Sequence, residues 1–321
     1  MNSEWPDAMP TSVTPMLATL TEDRFSDTGW IFERKWDGIR CIAYRSADGV
    51  VRLRTRNDLP LERTYPEIAE ALAANATTSL VLDGEVVAFR GRNTSFERLQ
   101  GRSGISEPDA ARASGIAVFY YIFDVLFVDG HDVRNLPLRE RKRLLRTCAR
   151  YADPLRLTAH RNTQGEEEYR KACERGDEGV IAKRADSRYQ AGRSRDWLKF
   201  KCVRDQEFVI GGFTAPKGSR SDFGALLVGY YRGSQFVYAG KVGTGFTTAS
   251  LHDLHARMQE LTRSSSPFTV GRVRERDVQW IEPALVAQIG FTEWTRDGML
   301  RHPRFTGLRN DKDPREVVRE T

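Results

Sequence analysis

Long runs of strand-forming residues dominate the first 130 residues, and they do not alternate regularly with helical segments. The run from Ile116 to Val128 is apolar and aromatic, which is typical of a buried strand. Val50 to Thr55 alternates apolar and charged side chains, as a half-buried strand does. Ser79 to Arg90 indicates a strand that is interrupted at Asp83-Gly84. These segments predict an α+β fold that is rich in antiparallel strands, and they disfavour a doubly wound parallel sheet.

Helical patterns are fewer in this part of the chain, and cover Leu61 to Ala74, Pro137 to Arg150 and Glu166 to Arg175. A chain of 321 residues is long enough to form two hydrophobic cores. A boundary near Lys201 to Gln206 separates this part from a segment of different pattern. We therefore place one domain at residues 1–204 and a second domain at residues 205–321.

The second domain begins with short strands separated by Gly/Ser turns. Strand patterns cover Phe208 to Phe213, Gly224 to Arg232 and Gln235 to Val242, and a helix is predicted from Thr248 to Leu261. More strand-like segments follow this helix. Roughly five strands with one helix in a domain of this size are typical of a small β-barrel such as the OB-fold.

Composition limits the class of protein. Hydrophobic residues make up 40% and charged residues 29%, which is enough apolar material for a packed core, and the net charge of +6 permits a polyanionic partner without requiring one. No apolar stretch is long enough to span a membrane, and Met1 to Pro15 lacks the apolar core of a signal peptide. We therefore expect a cytoplasmic protein.

Cysteine and histidine spacings give no metal or disulfide signal. Cys41, Cys148, Cys173 and Cys202 are widely spaced without a Cys-x-x-Cys pair, so we expect reduced thiols. His252 and His255 lie three apart on the predicted helix and could share a metal ion, but the sequence offers no third ligand.

Lys35 lies at the end of a predicted strand, Trp30 to Arg34, and is followed by an Asp-Gly turn and Arg40. A lysine amine is a nucleophile only when it is neutral, and neutrality near pH 7.5 costs roughly 4 kcal/mol because the pKa of a solvated lysine is about 10.4. Nearby cations and burial lower that cost. Taken alone, Lys-x-Asp-Gly is a weak signal, and a solvated lysine beside a turn explains it more simply than a nucleophile does.

Carboxylates and lysines elsewhere complement this lysine. Asp83-Gly84-Glu85 places negative charge inside an apolar strand, where it is costly without a partner. Glu178 lies at the start of a strand, where its oxygens could hold Mg²⁺. A strand over Trp197 to Lys201 would point Lys199 and Lys201 to one face, where two like charges need an anion between them.

Two more clusters complete the set. Phe123, in the run Phe123-Asp124, offers an aromatic face, although it could equally be a core residue. Arg309-Asn310-Asp311-Lys312 lies close to the C-terminus, where charged residues are usually solvated. Together the clusters supply a nucleophile, a metal carboxylate, paired cations for a phosphate and a platform for a base, which nucleotidyl transfer to a lysine requires.

The order of these motifs resembles that of the ATP-dependent DNA ligases. The matching runs are Lys35-Trp36-Asp37-Gly38-Ile39-Arg40, Asp83-Gly84-Glu85, Phe123-Asp124, Glu178 to Lys183, Trp197 to Lys201 and Arg309 to Lys312. The chain is most similar to the ligase domain of the bacterial multifunctional end-joining ligases, which work with the Ku protein. Glu293 to Gly298 and Leu300 to Pro303 resemble that subgroup in particular. The resemblance spans about Pro15 to Lys312.

The resemblance implies a nucleotidyltransferase (adenylation) domain followed by an OB-fold domain, and a lysyl-AMP intermediate formed from ATP with Mg²⁺ or Mn²⁺. It implies that Lys35 is the nucleophile and that Glu178 binds the metal. The nucleotide would be bound by Glu33, Arg40, Glu85, Phe123, Arg193, Lys199 and Lys201. Arg56 would lie along DNA, and Arg309, Asp311 and Lys312 would orient pyrophosphate.

The substrate implied is double-stranded DNA with a nick or a broken end, and Ku and separate polymerase or nuclease proteins are the expected partners of a monomer. We expect no further helical DNA-binding domain, since only about 15 residues precede the resemblance. Two alternatives stay open: an RNA ligase or capping-type lysine nucleotidyltransferase, and a catalytically silent OB-type nucleic-acid-binding protein.

Overall fold

The computed structural model describes residues 8–202, 205–216 and 222–320. The chain divides into two compact units between Cys202 and Val203. Residues 1–7 of the N-terminal segment that we expected to lack a signal peptide lie outside the described residues. In the described part of the chain, no helix is long and apolar enough to cross a membrane.

The first unit is built from short and medium strands with five helices among its described residues. Its strands are β1 (Met16–Leu20), β2 (Trp30–Arg34), β3 (Ile39–Arg45), β4 (Val51–Thr55), β5 (Leu80–Arg90), β6 (Asn93–Thr94), β7 (Val118–Val128), β8 (His131–Asp132), β9 (Leu155–Leu157), β10 (His160–Asn162), β11 (Gly179–Arg184) and β12 (Gly192–Lys201). Its helices are α1 (Pro66–Asn75), α2 (Phe96–Gln100), α3 (Pro108–Ala113), α4 (Leu138–Leu145) and α5 (Gly165–Arg175).

These strands form two sheets that face each other. One sheet has the order β1-β12-β11-β2-β10, and the other has the order β4-β3-β5-β7-β8 with β6 and β9 at its margins. The second sheet packs one face against α1 and α2. On its other face Ile42 and Val81 pack with Trp197 and Met16 of the first sheet. The first sheet is covered on its outer face by α5, through Ala172. The two inner faces therefore enclose a cleft that has apolar packing on one side.

The second unit is a strongly curved antiparallel sheet. Its elements are β13 (Asp205–Thr214), β14 (Leu226–Arg232), β15 (Gln235–Val242), α6 (Thr248–Gln259), β16 (Thr262–Arg263), β17 (Val278–Ile281), β18 (Val286–Gly290), β19 (Glu293–Trp294), β20 (Leu300–Arg301), β21 (Arg304–Leu308) and a 3-10 turn at Pro314–Glu316. On one side, β13 pairs with β18 along its first half and with β17 along its last residues. On its other side, β13 pairs with β14. A long strand shared in this way bends the sheet around one core, as in an OB-fold barrel.

The predicted fold class is confirmed, and most predicted strands are too. Three details were wrong. The strand over Ser79 to Arg90 is continuous from Leu80, because the irregularity at Asp83-Gly84 is absorbed by a shift in its pairing with β7. The predicted helix at Leu61 begins only at Pro66, where proline suits the first turn. The helix after Pro137 ends at Leu145, whose carbonyl accepts hydrogen bonds from Tyr151 and Cys148.

The second unit contains more strands than the roughly five expected, even counting only its described residues. The additional ones, β16, β19 and β20, are two residues long. A strand of two residues is defined by its pairing with a neighbouring strand. It has too few side chains to show alternation in the sequence.

The expectation of reduced thiols was wrong for two of the four cysteines. Cys173 on α5 and Cys202 at the end of β12 form a disulfide, while Cys41 and Cys148 are free. The two partners are 29 residues apart in sequence. They meet because α5 packs on the sheet that contains β12, through Tyr169 and Phe200.

Candidate nucleotidyl-transfer site

Lys35 follows directly after β2, and Glu178 directly precedes the neighbouring strand β11. The Lys35 amide donates a hydrogen bond to the Gly179 carbonyl at 2.9 Å, which continues the pairing of the two strands by one residue. The Lys35 ammonium forms an ion pair with the Glu178 carboxylate. Both side chains are largely shielded from solvent, at 18% and 11% exposure. The predicted nucleophile and the predicted metal ligand are thus direct neighbours.

Two glycines beside this pair allow neighbouring strands to pass close to the backbone. A Cβ atom on Gly179 would lie 2.0 Å from the Phe200 carbonyl oxygen, and its φ of +146° disfavours any side chain. A Cβ atom on Gly38 would lie 2.1 Å from the Val86 carbonyl oxygen. The glycine of Lys-x-Asp-Gly is therefore required because the chain after Lys35 runs against β5.

Lys199 and Lys201 lie on the next strand, β12. Lys201 is opposite Gly179, and Lys199 is opposite Ile181, which is in turn opposite Glu33 on β2. The three strands therefore align two rows of side chains on the cleft face, and neighbouring strands are about 4.8 Å apart. The prediction that a strand points both lysines to one face is confirmed. Arg193 lies at the far end of β12, is exposed, and donates a hydrogen bond to the Ala18 carbonyl at 2.8 Å.

Glu33 is at the centre of a buried ionic cluster. Its carboxylate forms ion pairs with Lys142 of α4 and with Lys183 of β11, and all three side chains are buried. Burial would raise the pKa of Glu33, but the two ammonium groups outweigh it and the pKa is lowered. Burial lowers the pKa of Lys183 to about 8, since one carboxylate must compensate two cations. Burial and Lys142 also lower the pKa of His160, which lies opposite Glu33.

The opposite wall of the cleft carries Arg40, whose guanidinium is held by Asp83. The two form a bidentate pair, with Nε–Oδ1 at 2.5 Å and Nη2–Oδ2 at 2.6 Å. Tyr189 donates a third hydrogen bond to Asp83 at 2.7 Å, and its own oxygen accepts one from the Met16 amide. The carboxylate predicted to be costly inside an apolar strand is therefore Asp83, and Arg40 and Tyr189 are its partners. Glu85 lies on β5 opposite Arg40.

Phe123 is on β7, at the point where pairing with β5 shifts. Asp83 is opposite Asp124 and Gly84 is opposite Ile122, so Phe123 has no opposite residue. A bulge of this kind redirects a side chain. The ring is 7% exposed, and the Lys183 ammonium and the Arg40 guanidinium lie 4.2 Å and 4.7 Å from its centre. The structure thus places Phe123 between cations from both walls of the cleft.

Asp124, next to Phe123, pairs with Arg141 of α4. Both side chains are fully buried, and two hydrogen bonds of 2.9 Å connect them. Arg141 also donates to the carbonyls of Leu136 and Ser187. This network fixes α4, and with it Lys142, against the strand that carries Phe123.

The remaining predicted residues belong to other elements. Arg56 is in the turn after β4. Arg309, Asp311 and Lys312 belong to the second unit, where Arg309 and Asp311 form a bidentate pair at 2.9 Å and 2.8 Å. Asp311 is buried, which would raise its pKa, but Arg309 and Lys312 lower it overall. Lys312 pairs with Glu207 at 3.2 Å, so this motif is packed and not a solvated tail.

A third side chain lies close to His252 and His255, the two histidines of α6 that could share a metal ion. Asp222 Oδ1 lies 3.3 Å from His255 Nδ1 and 3.6 Å from His252 Nδ1. Even so, among the residues that the structure describes, no group of three or more His, Cys, Asp or Glu side chains has an arrangement that could hold a metal ion.

The motifs match known protein families over nearly the whole chain. Residues 15–201 match the ATP dependent DNA ligase domain, and residues 219–312 match the ATP dependent DNA ligase C terminal region. The first match alone covers more than half of the chain. The chain belongs to the ATP-dependent DNA ligase family.

Individual relatives agree with this assignment. The chain is 40% identical to the multifunctional non-homologous end joining protein LigD of Pseudomonas aeruginosa, over 97% of the chain and 37% of that protein. It is 37% identical to the corresponding protein of Mycobacterium tuberculosis, over 96% of the chain and 40% of that protein. The chain thus spans about two fifths of the length of the curated relatives it matches.

A solved structure gives the same result for the fold. A mycobacterial DNA ligase D complexed with ATP and MES is 34% identical, and the match covers 96% of this chain and 98% of that one with a TM-score of 0.67. The crystallised ligase domain of LigD from M. tuberculosis is also 34% identical, with a TM-score of 0.50. The predicted adenylation and OB folds are confirmed by these matches.

Several residues of this cleft were missed from the sequence. Lys142 lies in the run Leu138 to Leu145, whose many charges suggest a solvated helix, so nothing indicates that it is buried. Lys183 was part of a matching motif but had no assigned role. Tyr189 carries no motif. Trp36, inside the first motif, stacks on Tyr121 with ring centres 3.7 Å apart.

Proposed function

We propose that this chain seals nicks or joined ends in double-stranded DNA with ATP, through a covalent lysyl-AMP on Lys35. The observation that carries this proposal is the Lys35–Glu178 ion pair at the head of two adjacent strands, with Lys199 and Lys201 on the next strand. Such an arrangement concentrates positive charge around a shielded amine, as phosphoryl-type transfer requires.

In the first step, the neutral Lys35 amine forms a bond to the α-phosphorus of ATP and the bond to the β-phosphate oxygen breaks, which releases pyrophosphate. Lys199, Lys201 and Arg193 are proposed to bind the α-phosphate. Because the ion pair with Glu178 stabilises the ammonium form, Lys35 must lose this partner and a proton before it attacks.

The base and ribose are proposed to lie against residues from both walls. Glu33 would accept a hydrogen bond from the adenine amino group, Phe123 would contact the base, and Arg40 and Glu85 would bind the ribose. Since Arg40 is already held by Asp83, its contribution is a fixed donor rather than a mobile one.

A divalent cation, Mg²⁺ or Mn²⁺, fits the donor set at Glu178. Mg²⁺ typically takes one or two carboxylates and completes its shell with phosphate oxygens and water, so a single protein ligand is sufficient. When bound, the metal would neutralise charge on the phosphates and compete with Lys35 for the carboxylate.

We propose a division of labour between the two domains, residues 1–204 for adenylation and residues 205–321 as the OB-fold domain. Arg309, Asp311 and Lys312 would orient pyrophosphate in the first step. AMP would then pass to a 5′-phosphate, with Arg56 along the DNA backbone, and the adjoining 3′-hydroxyl would displace it.

A role in end joining is proposed from the names of the relatives. Ku and separate polymerase or nuclease proteins are proposed as partners from the resemblance of the motifs alone. We propose a cytoplasmic monomer that lies with the nucleoid when it is bound to DNA. Co-purification with a Ku homologue on blunt-ended DNA would test the partnership. If the two proteins do not co-purify on nicked circular DNA, their association requires a DNA end.

The chemistry is tested in one reaction that contains the protein, Mg²⁺ and α-labelled ATP, with a singly nicked duplex added as a chase. We expect label on the protein, followed by its release as AMP while the strand is sealed. Lys35→Ala should form no adduct. Lys171→Ala is the matched control, because Lys171 is half-exposed on α5 and pairs with Glu167 within the same helix.

Two outcomes would change this proposal. Adduct in Lys35→Ala would mean that another side chain is the nucleophile. Label that stays on the wild-type protein when nicked DNA is added would indicate a different acceptor, and nicked RNA would then be the next substrate to test.

A further inference from the structure

Five arginines of the second unit surround one cavity, which none of the proposed catalytic residues lines. The cavity has a volume of about 660 Å³ and lies between the β14–β15 hairpin, the segment 270–275, the turn of the β19–β20 hairpin and the C-terminal segment. Its arginines are Arg232, Arg272, Arg274, Arg296 and Arg319. We refer to it as the arginine cavity.

These arginines are exposed and uncompensated. Within the described ranges, none of the five forms an ion pair with a carboxylate, whereas most arginines of the first unit are paired. Glu275, on the wall of the cavity, is already engaged by Lys241 at 3.2 Å and by Tyr238. Asp297 is the other carboxylate in the lining. Five cations around one space repel one another unless an anion neutralises them.

Part of the arginine cavity is held in place by local contacts. The Arg319 guanidinium lies over the Trp294 ring at 4.3 Å, and Arg232 donates to the Gln235 side chain at 3.1 Å. Arg296 is in the tight turn that connects β19 and β20, where the Thr295 carbonyl accepts from the Gly298 amide. Planar guanidinium groups held in this way bind phosphate oxygens in a bidentate manner.

The distribution of the cations favours a polymer over a small anion. A small phosphate is usually bound by donors that converge inside a pocket, but all five arginines are exposed around the opening. The aromatic residues offer no stacking surface, since Tyr230 and Tyr238 are buried and the Trp294 ring is covered by Arg319. Without base contacts, the site would bind phosphates irrespective of sequence.

We propose that the arginine cavity binds the phosphate backbone of duplex DNA, as a second DNA-binding site in addition to the contacts at the nick. This inference rests on the proposed ligase function. It also gives a role to the segment Glu293 to Gly298, which resembles the end-joining subgroup in particular. No residue of this segment has a proposed role in nucleotide transfer.

The test compares the affinity of nicked duplex DNA for the wild type, Arg296→Gln and the double variant Arg272→Gln/Arg274→Gln over a range of salt concentrations, by fluorescence anisotropy. Each lost phosphate contact should reduce the slope of log affinity against log salt by about 0.9 and weaken binding about five-fold at physiological salt. The double variant should lose about twice as much slope. Arg263→Gln is the matched control, because Arg263 pairs with Glu282 and lies outside the cavity.

Adduct formation with labelled ATP alone is measured on the same proteins, because that step requires no DNA. An unchanged salt slope in both variants would overturn the proposal while leaving the ligase function intact. Variants that bind DNA normally but show a raised KM for ATP would also overturn it, since the cavity would then serve a nucleotide. A wild type that forms no adduct, yet binds DNA through these arginines, would overturn the ligase function and not the cavity.

Discussion

The buried Asp124–Arg141 pair should contribute strongly to stability and little to chemistry. Asp124→Asn keeps the shape of the side chain but removes its charge, which leaves a guanidinium that is 0% exposed without a counter-charge. Breaking such a pair typically costs about 3–5 kcal/mol. For a unit of roughly 200 residues, with an unfolding entropy of about 2.1 cal/mol/K per residue, 4 kcal/mol corresponds to about 10 °C.

Differential scanning calorimetry of the whole protein measures this shift. Arg112→Met is the control, because Arg112 is 42% exposed and its ion pairs with Glu70 and Asp109 lie at the surface, where about 0–1 kcal/mol is expected. The double variant Asp124→Asn/Arg141→Met should show a coupling of about 2 kcal/mol relative to the two single variants.

The assay of adduct formation separates stability from catalysis. Well below its melting temperature, Asp124→Asn should form the lysyl adduct at close to the wild-type rate, because Asp124 contacts α4 and not the face of the cleft. Equal melting shifts for Asp124→Asn and Arg112→Met would refute the reasoning from burial. A large loss of adduct in a folded Asp124→Asn would refute the purely structural role.

Three further predictions concern other elements. Lys312→Ala should slow adduct formation much more than sealing of a nick that is already adenylated, and equal loss in the two assays would contradict its role at pyrophosphate. Reduction of Cys173–Cys202 should lower the free energy of unfolding by about 3–4 kcal/mol, from the 29-residue separation, as measured by denaturation with and without reductant; Cys173→Ser should not respond. Because the pKa of Lys183 is about 8 when folded and 10.5 as a free side chain, the unfolded chain binds more protons between these values. The stability of the wild type relative to Lys183→Met should therefore rise from pH 8 to 10.5, by at most about 1.4 kcal/mol per pH unit, in denaturation at several pH values.

The sequence predicts those parts of the chain whose signal is local. The alternation of Trp197 to Lys201 gives β12 and the shared direction of two lysines, and the apolar run before Val128 gives β7. From the sequence, Gly38 and Gly179 are recognisable only as motif residues. Glycine is required at both positions because another strand passes within van der Waals distance, and a contact of that kind is visible only in the fold.

The parts that could not be predicted depend on contacts between distant segments. Lys142 is buried where it forms an ion pair with Glu33, which is far away in the sequence. Cys173 and Cys202 meet because a helix packs on a sheet. β19 and β20 are too short to show a pattern before they pair with each other.

The two anion sites that we propose for this chain differ in how their charges are compensated. In the cleft, Lys35 is paired with Glu178, Lys183 with Glu33 and Arg40 with Asp83, so the proposed nucleotide would have to share or replace partners that these cations already have. The free energy of nucleotide binding in the cleft would be a small difference between two large terms. Selectivity then follows from geometry, because only a ligand that replaces each lost partner gains free energy. The five arginines of the arginine cavity form no such ion pair within the described part of the chain, so the proposed binding of DNA there would be driven by release of counter-ions. A ligase that needs one selective site for ATP and one that accepts any sequence of DNA would use these two arrangements in this way.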